Sequence, residues 1–125
     1  PNRSFNRIQA SQSEQDFSAI RHIYAPQNFQ GKRVLNRSLS QSEYIDVLSW
    51  DTNPLNINID GYRIYLVGQQ ASQFLIEVSS EKRTFSRRNI KRNQTCIYRI
   101  CAVNSAEREG ALVELILKDV EHSNR

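Results

Sequence analysis

Short runs of alternating apolar and polar residues, separated by turn-forming residues about every ten positions, fill the chain from residue 23 onward. In one of them, Tyr62, Ile64 and Leu66 would share one face of a strand, and Arg63 and Tyr65 the other. A period of two is typical of half-buried β-strands. We interpret as strands the runs 44–50, 62–66, 74–78, 84–90, 95–103 and 111–117. Such runs, without a sustained helical period, predict an all-β fold, an antiparallel β-sandwich of about seven strands.

One run departs from strict alternation. Between Val47 and Leu48 the order of apolar and polar positions slips by one. A β-bulge, or a place near a sheet edge, would explain such a slip.

The two ends of the chain differ from this pattern. Residues 1–22 are polar and predict a leader or linker, within which the capping-box spacing of Ser11 and Glu14 allows a short helix over 12–21. We place the sandwich at 23–119 and a tail at 120–125. Because the chain begins with Pro1 and contains no Met, we expect it to be a piece of a longer polypeptide.

The order of these runs resembles the fibronectin type III domain. That family has five recurring motifs in this order: an apolar-x-Trp, a Gly-Tyr-x-Ile, a Leu before a turn, a Tyr six residues later, and an Ala-Val-Asn. The matching positions, within 25–118, are Leu48-Ser49-Trp50, Gly61-Tyr62-Arg63-Ile64, Ile90, Cys96 and Ala102-Val103-Asn104. The resemblance implies an immunoglobulin-like sandwich. Residues 25–50 are further similar to modules of secreted or surface proteins of bacteria, which implies an extracellular or cell-envelope location.

The core and the cysteines follow from the same pattern. We expect Trp50 to be buried between two sheets, packed by Tyr62, Ile64, Tyr98 and Ile100. Two thiols five residues apart on one strand would lie roughly 16 Å apart on opposite faces, so they cannot form a disulfide with each other. Cys96 falls on the family's tyrosine-corner position and is predicted to be buried and inert. Cys101, on the other face, is predicted to be the more exposed thiol and the better site for intermolecular chemistry.

Charge adds one local feature. The chain has 17 Lys and Arg against 13 Asp and Glu, a net charge of +4. Seven of the basic residues lie close together and form the candidate polyanion-binding set: Lys82, Arg83, Arg87, Arg88, Lys91, Arg92 and Arg99. Such a set could contact sulfated glycans, phosphorylated polymers or nucleic acid with salt-sensitive affinity. A merely solvated basic face and an acidic protein partner remain alternatives.

The sequence indicates no catalytic or cofactor chemistry. His22 and His122 lie near the two ends without a neighbouring nucleophile, and the four glycines form no phosphate-binding loop. There is no Cys-x-x-Cys metal pair, and no apolar run approaches the roughly 20 residues that span a bilayer. We therefore expect a monomeric, non-enzymatic interaction or spacer module of a larger secreted or cell-surface protein. The alternatives are a polyanion-binding module that uses Lys82 to Arg99, and an accessory domain of a secreted enzyme.

Overall fold

Seven β-strands form two antiparallel sheets in the computed structural model, which describes residues 22–37 and 42–119. The strands are β1 (Gln27–Arg37), β2 (Ser42–Asp51), β3 (Ile59–Val67), β4 (Ser72–Ser79), β5 (Thr84–Ile90), β6 (Cys96–Asn104) and β7 (Val113–Leu117). One sheet has the order β1-β2-β5 and the other β4-β3-β6-β7. The predicted all-β sandwich of seven strands is confirmed. The predicted helix at 12–21 and the tail at 120–125 lie outside the described residues.

The core lies between the two sheets and is centred on Trp50, as the alternation predicts. The Trp50 and Tyr62 rings lie 5.7 Å apart, within the range of favourable aromatic pairs. The other predicted neighbours, Ile64, Tyr98 and Ile100, are fully buried. Each large apolar side chain buried there contributes roughly 1.5–3 kcal/mol relative to exposure.

Neither a β-bulge nor a place at a sheet edge explains the slip between Val47 and Leu48, because both neighbouring strands pair with these residues in continuous register. Inside β2, which is the central strand of its sheet, Asp46, Leu48 and Trp50 point inward in unbroken alternation. The sequence suggested a slip because the inward Asp46 is polar, whereas apolar residues occupy outward positions. A register shift does occur, but on the partner strand: Tyr44 pairs with Ile90 while Asp46 pairs with Arg87, so that β5 carries the extra residue.

The predictions for the two cysteines have different outcomes. Cys96 is buried, as predicted. The prediction that Cys101 is the more exposed thiol is wrong, because this residue has no exposed surface. The loop that follows β6 turns back beside this strand: the Gly110 amide donates to the Ala102 carbonyl at 2.9 Å, and Val103 forms a bridge with Glu109.

The chain enters and leaves the sandwich at opposite ends. The Ala111 amide donates to the Ile23 carbonyl at 3.1 Å, beside the end of β6. Asp119 accepts a hydrogen bond from the Asn93 amide at 2.8 Å, beside the start of β6. The nine residues of β6 separate these two contacts by roughly 30 Å.

Candidate functional site

The seven residues of the predicted basic set are distributed over two sheets and two turns. Lys82 and Arg83 lie in the turn between β4 and β5, and Lys91 and Arg92 in the turn after β5. Arg87 and Arg88 are on β5 in the three-stranded sheet. Arg99 lies between the buried Tyr98 and Ile100 of β6, so it faces outward, as predicted. Because β6 belongs to the other sheet, Arg99 lies apart from the rest of the set.

Three of these arginines bind partners on the protein surface. Arg83 donates to the Lys82 carbonyl at 2.8 Å, with its guanidinium carbon 5.7 Å from the centre of the Tyr62 ring. Arg88 pairs with Glu43, with 3.1 Å between its Nε and the Oε2 atom of the carboxylate. The hydrogen bond from this guanidinium is the main cause of the lowered pKa of Glu43. Arg99 pairs with Glu114 at 2.9 Å.

Arg87 points inward and belongs to a different environment. Its Nη1 lies 3.5 Å from the Cys96 sulfur and 3.3 Å from the Tyr98 hydroxyl oxygen. The alternation along β5 could have indicated this, because Phe85, two residues earlier, also packs against the core. Arg87 therefore does not contribute an exposed guanidinium to a surface patch.

The sequence pattern missed a buried ion pair beside Arg87. Asp46 is fully buried and accepts two hydrogen bonds from Arg33, at 2.6 Å from Nε and 2.9 Å from Nη2. The Tyr98 hydroxyl donates to the same carboxylate at 2.6 Å. The hydrogen bond that Arg33 donates to Asp46 raises the pKa of Arg33, and burial raises the pKa of Tyr98. Arg33 belongs to β1, Asp46 to β2 and Tyr98 to β6. Because a buried charge must be paired, these hydrogen bonds hold the three strands together.

A second ionic cluster fastens the loop between β6 and β7. Arg63 of β3 pairs with Glu77 at 2.8 Å, Glu107 at 2.6 Å and Glu109 at 3.1 Å. Tyr65 also donates its hydroxyl hydrogen to Glu109. Cys101, the cross-strand partner of Arg63, lies beneath this cluster, and burial raises the pKa of its thiol to about 12. No sequence pattern indicated these pairs, which join residues up to 46 positions apart.

An open cleft lies at the end of the three-stranded sheet where β1 and β5 end and β2 begins. It has a volume of about 440 Å³. Its lining combines two cationic side chains and one carboxylate with hydroxyl and apolar side chains: Leu35, Arg37, Ser42, Glu43, Tyr44, Ile90 and Arg92. Arg92 is the one member of the predicted basic set that lines it. The mixture of cations with an apolar floor is suited to an organic anion.

Among residues 22–37 and 42–119, no group of three His, Cys, Asp or Glu side chains is placed to hold a metal ion. The same residues include no helix long and apolar enough to cross a membrane.

Solved structures with the same architecture include isolated sandwiches and parts of enzymes. One described as FN3tt mut shares 17% identity, covers 76% of this chain and 97% of its own, and has a TM-score of 0.57. A redesigned β-sandwich protein shares 18% identity with this chain and has a TM-score of 0.59; the match covers 80% of this chain and 95% of that one. The Endo-D glycoside hydrolase domain of Streptococcus pneumoniae R6 has 15% identity and a TM-score of 0.57; the match covers 79% of this chain and 15% of that one. No protein-family model and no curated protein matches the sequence.

Proposed function

We propose that this chain, which has the fold of fibronectin type III domains, is a non-catalytic interaction or spacer module of a larger secreted or cell-surface bacterial protein. The observation that carries the proposal is that the chain enters and leaves the described sandwich at opposite ends. Ile23 and Asp119 lie at opposite ends of the sandwich, roughly 30 Å apart. A module entered at one end and left at the other extends a chain of domains by its own length.

The accessory-domain form of this proposal has separate support. A similar sandwich makes up 15% of the Endo-D chain, so this fold occurs as a small part of a much larger glycoside hydrolase. A module of that kind would position an enzyme without taking part in its chemistry.

Location and chemistry can be tested together. An epitope inserted in the exposed turn at Gln69 and Gln70 of the parent protein should be removed when intact cells are treated with protease. The isolated chain should release no reducing ends from polysaccharides. Protection of the epitope in intact but not lysed cells would refute the surface location, and new reducing ends would refute the non-catalytic role.

Contact with an acidic polymer is a second candidate function. Lys82, Lys91 and Arg92 are exposed and form no ion pair within the part of the chain that the structure describes. On a heparin column, the triple change of these residues to Gln should elute at lower salt than the unmodified chain, because fewer counterions are released. Arg99→Gln is the matched control, since Arg99 already pairs with Glu114. Equal elution of the triple variant and the unmodified chain would end this candidate.

A further inference from the structure

The floor of the cleft is a row of three apolar side chains that crosses the three-stranded sheet. Leu35 of β1 pairs with Tyr44 of β2, which in turn pairs with Ile90 of β5. Ile90 is buried, Tyr44 is half-buried, and Leu35 is 41% exposed. The row therefore becomes more open from β5 towards β1 and offers an apolar surface about the width of one ring.

Two cations flank this floor. Arg37 lies two residues beyond Leu35 on the same face of β1 and pairs across the strands with Ser42. Arg92 reaches the cleft from the turn after β5. Both side chains are exposed, and neither forms an ion pair among the described residues.

The carboxylates near the cleft are already engaged. Glu43 accepts hydrogen bonds from Arg88, from Asn36 at 3.2 Å and from the Asn89 amide at 3.0 Å. Asp119 contributes to the electrostatic surroundings of Arg92, but its carboxylate binds Arg33 and the Asn93 amide. The positive charge of Arg37 and Arg92 is therefore available to a ligand.

We propose that this cleft binds an acidic saccharide, with one sugar ring on the Leu35 and Tyr44 floor and its carboxylate or sulfate between Arg37 and Arg92. Guanidinium groups pair with such anions through two parallel hydrogen bonds, and the apolar face of a sugar ring packs on an aromatic side chain. The volume of about 440 Å³ lies within the range of small-molecule sites, roughly 300–1,000 Å³. The inference rests on the second proposed function and assigns it a site.

Nucleic acid fits the same surface less well. Single-stranded nucleic acid needs successive aromatic platforms along a cationic track. Among the described residues, Tyr44 is the one aromatic side chain that lines this cleft. Arg87, Arg88 and Arg99, which could have continued a track, already bind Tyr98, Glu43 and Glu114. A single ring with one acidic group meets the geometry better than a polymer of stacked bases.

Calorimetric titration with trigalacturonate tests the proposal on the full chain. The acid should bind, and its fully methyl-esterified form, which has the same rings but no charge, should not. Arg37→Gln and Arg92→Gln should each weaken binding about tenfold. Lys32→Gln is the matched control, because it removes one positive charge from an exposed position of β1 that does not line the cleft, and it should leave the affinity unchanged. Leu35→Ser should weaken binding without changing its salt dependence.

The outcomes separate the site from the function on which it rests. Heparin retention without binding of trigalacturonate, or an equal loss for Lys32→Gln and Arg92→Gln, would overturn the cleft and leave contact with an acidic polymer intact. Absence of both heparin retention and trigalacturonate binding would overturn both. Equal competition by single-stranded DNA would overturn the assignment to a saccharide. Unfolding curves that match the unmodified chain exclude loss of folding as the cause of any change.

Discussion

At the scale of single residues, Asp46 shows how this sandwich tolerates a charge in its interior. Its carboxylate has no exposed surface, and three donor atoms from Arg33 and Tyr98 surround it. The guanidinium of Arg33 also lies 3.1 Å from Asp119, which links β1 to the residues after β7. Removing either charge would leave the other buried without its main partner.

We therefore expect Asp46→Ala to lower the free energy of unfolding by about 3–5 kcal/mol. Urea unfolding followed by the fluorescence of Trp50 would measure this loss. Glu114→Gln, which breaks the exposed pair with Arg99, should cost less than about 1 kcal/mol. A loss for Asp46→Ala as small as that of this control would show that the buried pair does not hold the strands together. The double change Arg33→Met with Asp46→Leu should recover part of the stability, because no unpaired charge remains.

The thiol of Cys101 gives a second prediction at this scale. The side chain is buried beside Arg63, its cross-strand partner, which holds Glu107 and Glu109 of the loop after β6. Arg63→Gln should release this loop and increase the rate at which Ellman's reagent modifies Cys101 at pH 8, because burial raises the pKa of the thiol to about 12 in the unmodified chain. Mass spectrometry would identify which cysteine reacted.

Arg99→Gln is the control for this experiment, because Arg99 lies on the same outer face but pairs with Glu114. Equal labelling rates in Arg63→Gln and the unmodified chain would show that the ionic cluster does not shield the thiol.

At the scale of strands, the alternation of apolar and polar residues predicted the β-strands. The positions of the basic residues relative to one another could not be predicted, because they depend on how the strands pair. Neighbours on one strand, such as Arg87 and Arg88, face opposite sides of it, and Arg99 lies on the other sheet. The shift in β5 depends on its pairing with β2, which sequence spacing does not reveal. The fold follows from local apolar periodicity, whereas the candidate cleft depends on three strand ends that meet only after the sheet forms.

The shift in β5 predicts a specific backbone requirement at Asn89. This residue has a φ of 62°, in the left-handed region that Asn and Gly tolerate and β-branched residues do not. Asn89→Val should lower the free energy of unfolding by about 1–2 kcal/mol, and Asn89→Gly should be nearly neutral. Ser86→Val, on the same strand with ordinary backbone angles, is the control. Urea unfolding would compare them, and equal stability of Asn89→Val and Ser86→Val would contradict the required conformation.

At the scale of the whole molecule, ionic groups fasten both ends of the sandwich. Arg63 with its three carboxylates closes the end where the chain enters, and Arg33 with Asp46 and Asp119 closes the end where it leaves. The sequence could not indicate these ionic groups, because partners such as Arg33 and Asp119 are 86 positions apart.

The carboxylates at the exit end and beside the cleft predict how stability depends on pH. Arg88 lowers the pKa of Glu43, and the Asn93 amide lowers that of Asp119, below their ordinary values of 4.5 and 3.8. As the pH falls, the unfolded chain therefore takes up protons at these groups before the folded chain does. Their contribution to stability is complete above about pH 5 and is lost as the pH falls through the lower pKa values of the folded state.

The urea concentration at the midpoint of unfolding should accordingly change little between pH 5.5 and 7 on account of these two groups. At pH values below about 5 it should decrease. The double change Glu43→Gln with Asp119→Asn should lower the midpoint at pH 7 and flatten its fall, so that the two curves approach each other near pH 3. Curves that stay parallel from pH 7 to pH 3 would contradict the lowered pKa values. Glu81→Gln, an exposed acid outside both clusters, should follow the unmodified chain at every pH and so controls for the loss of one negative charge.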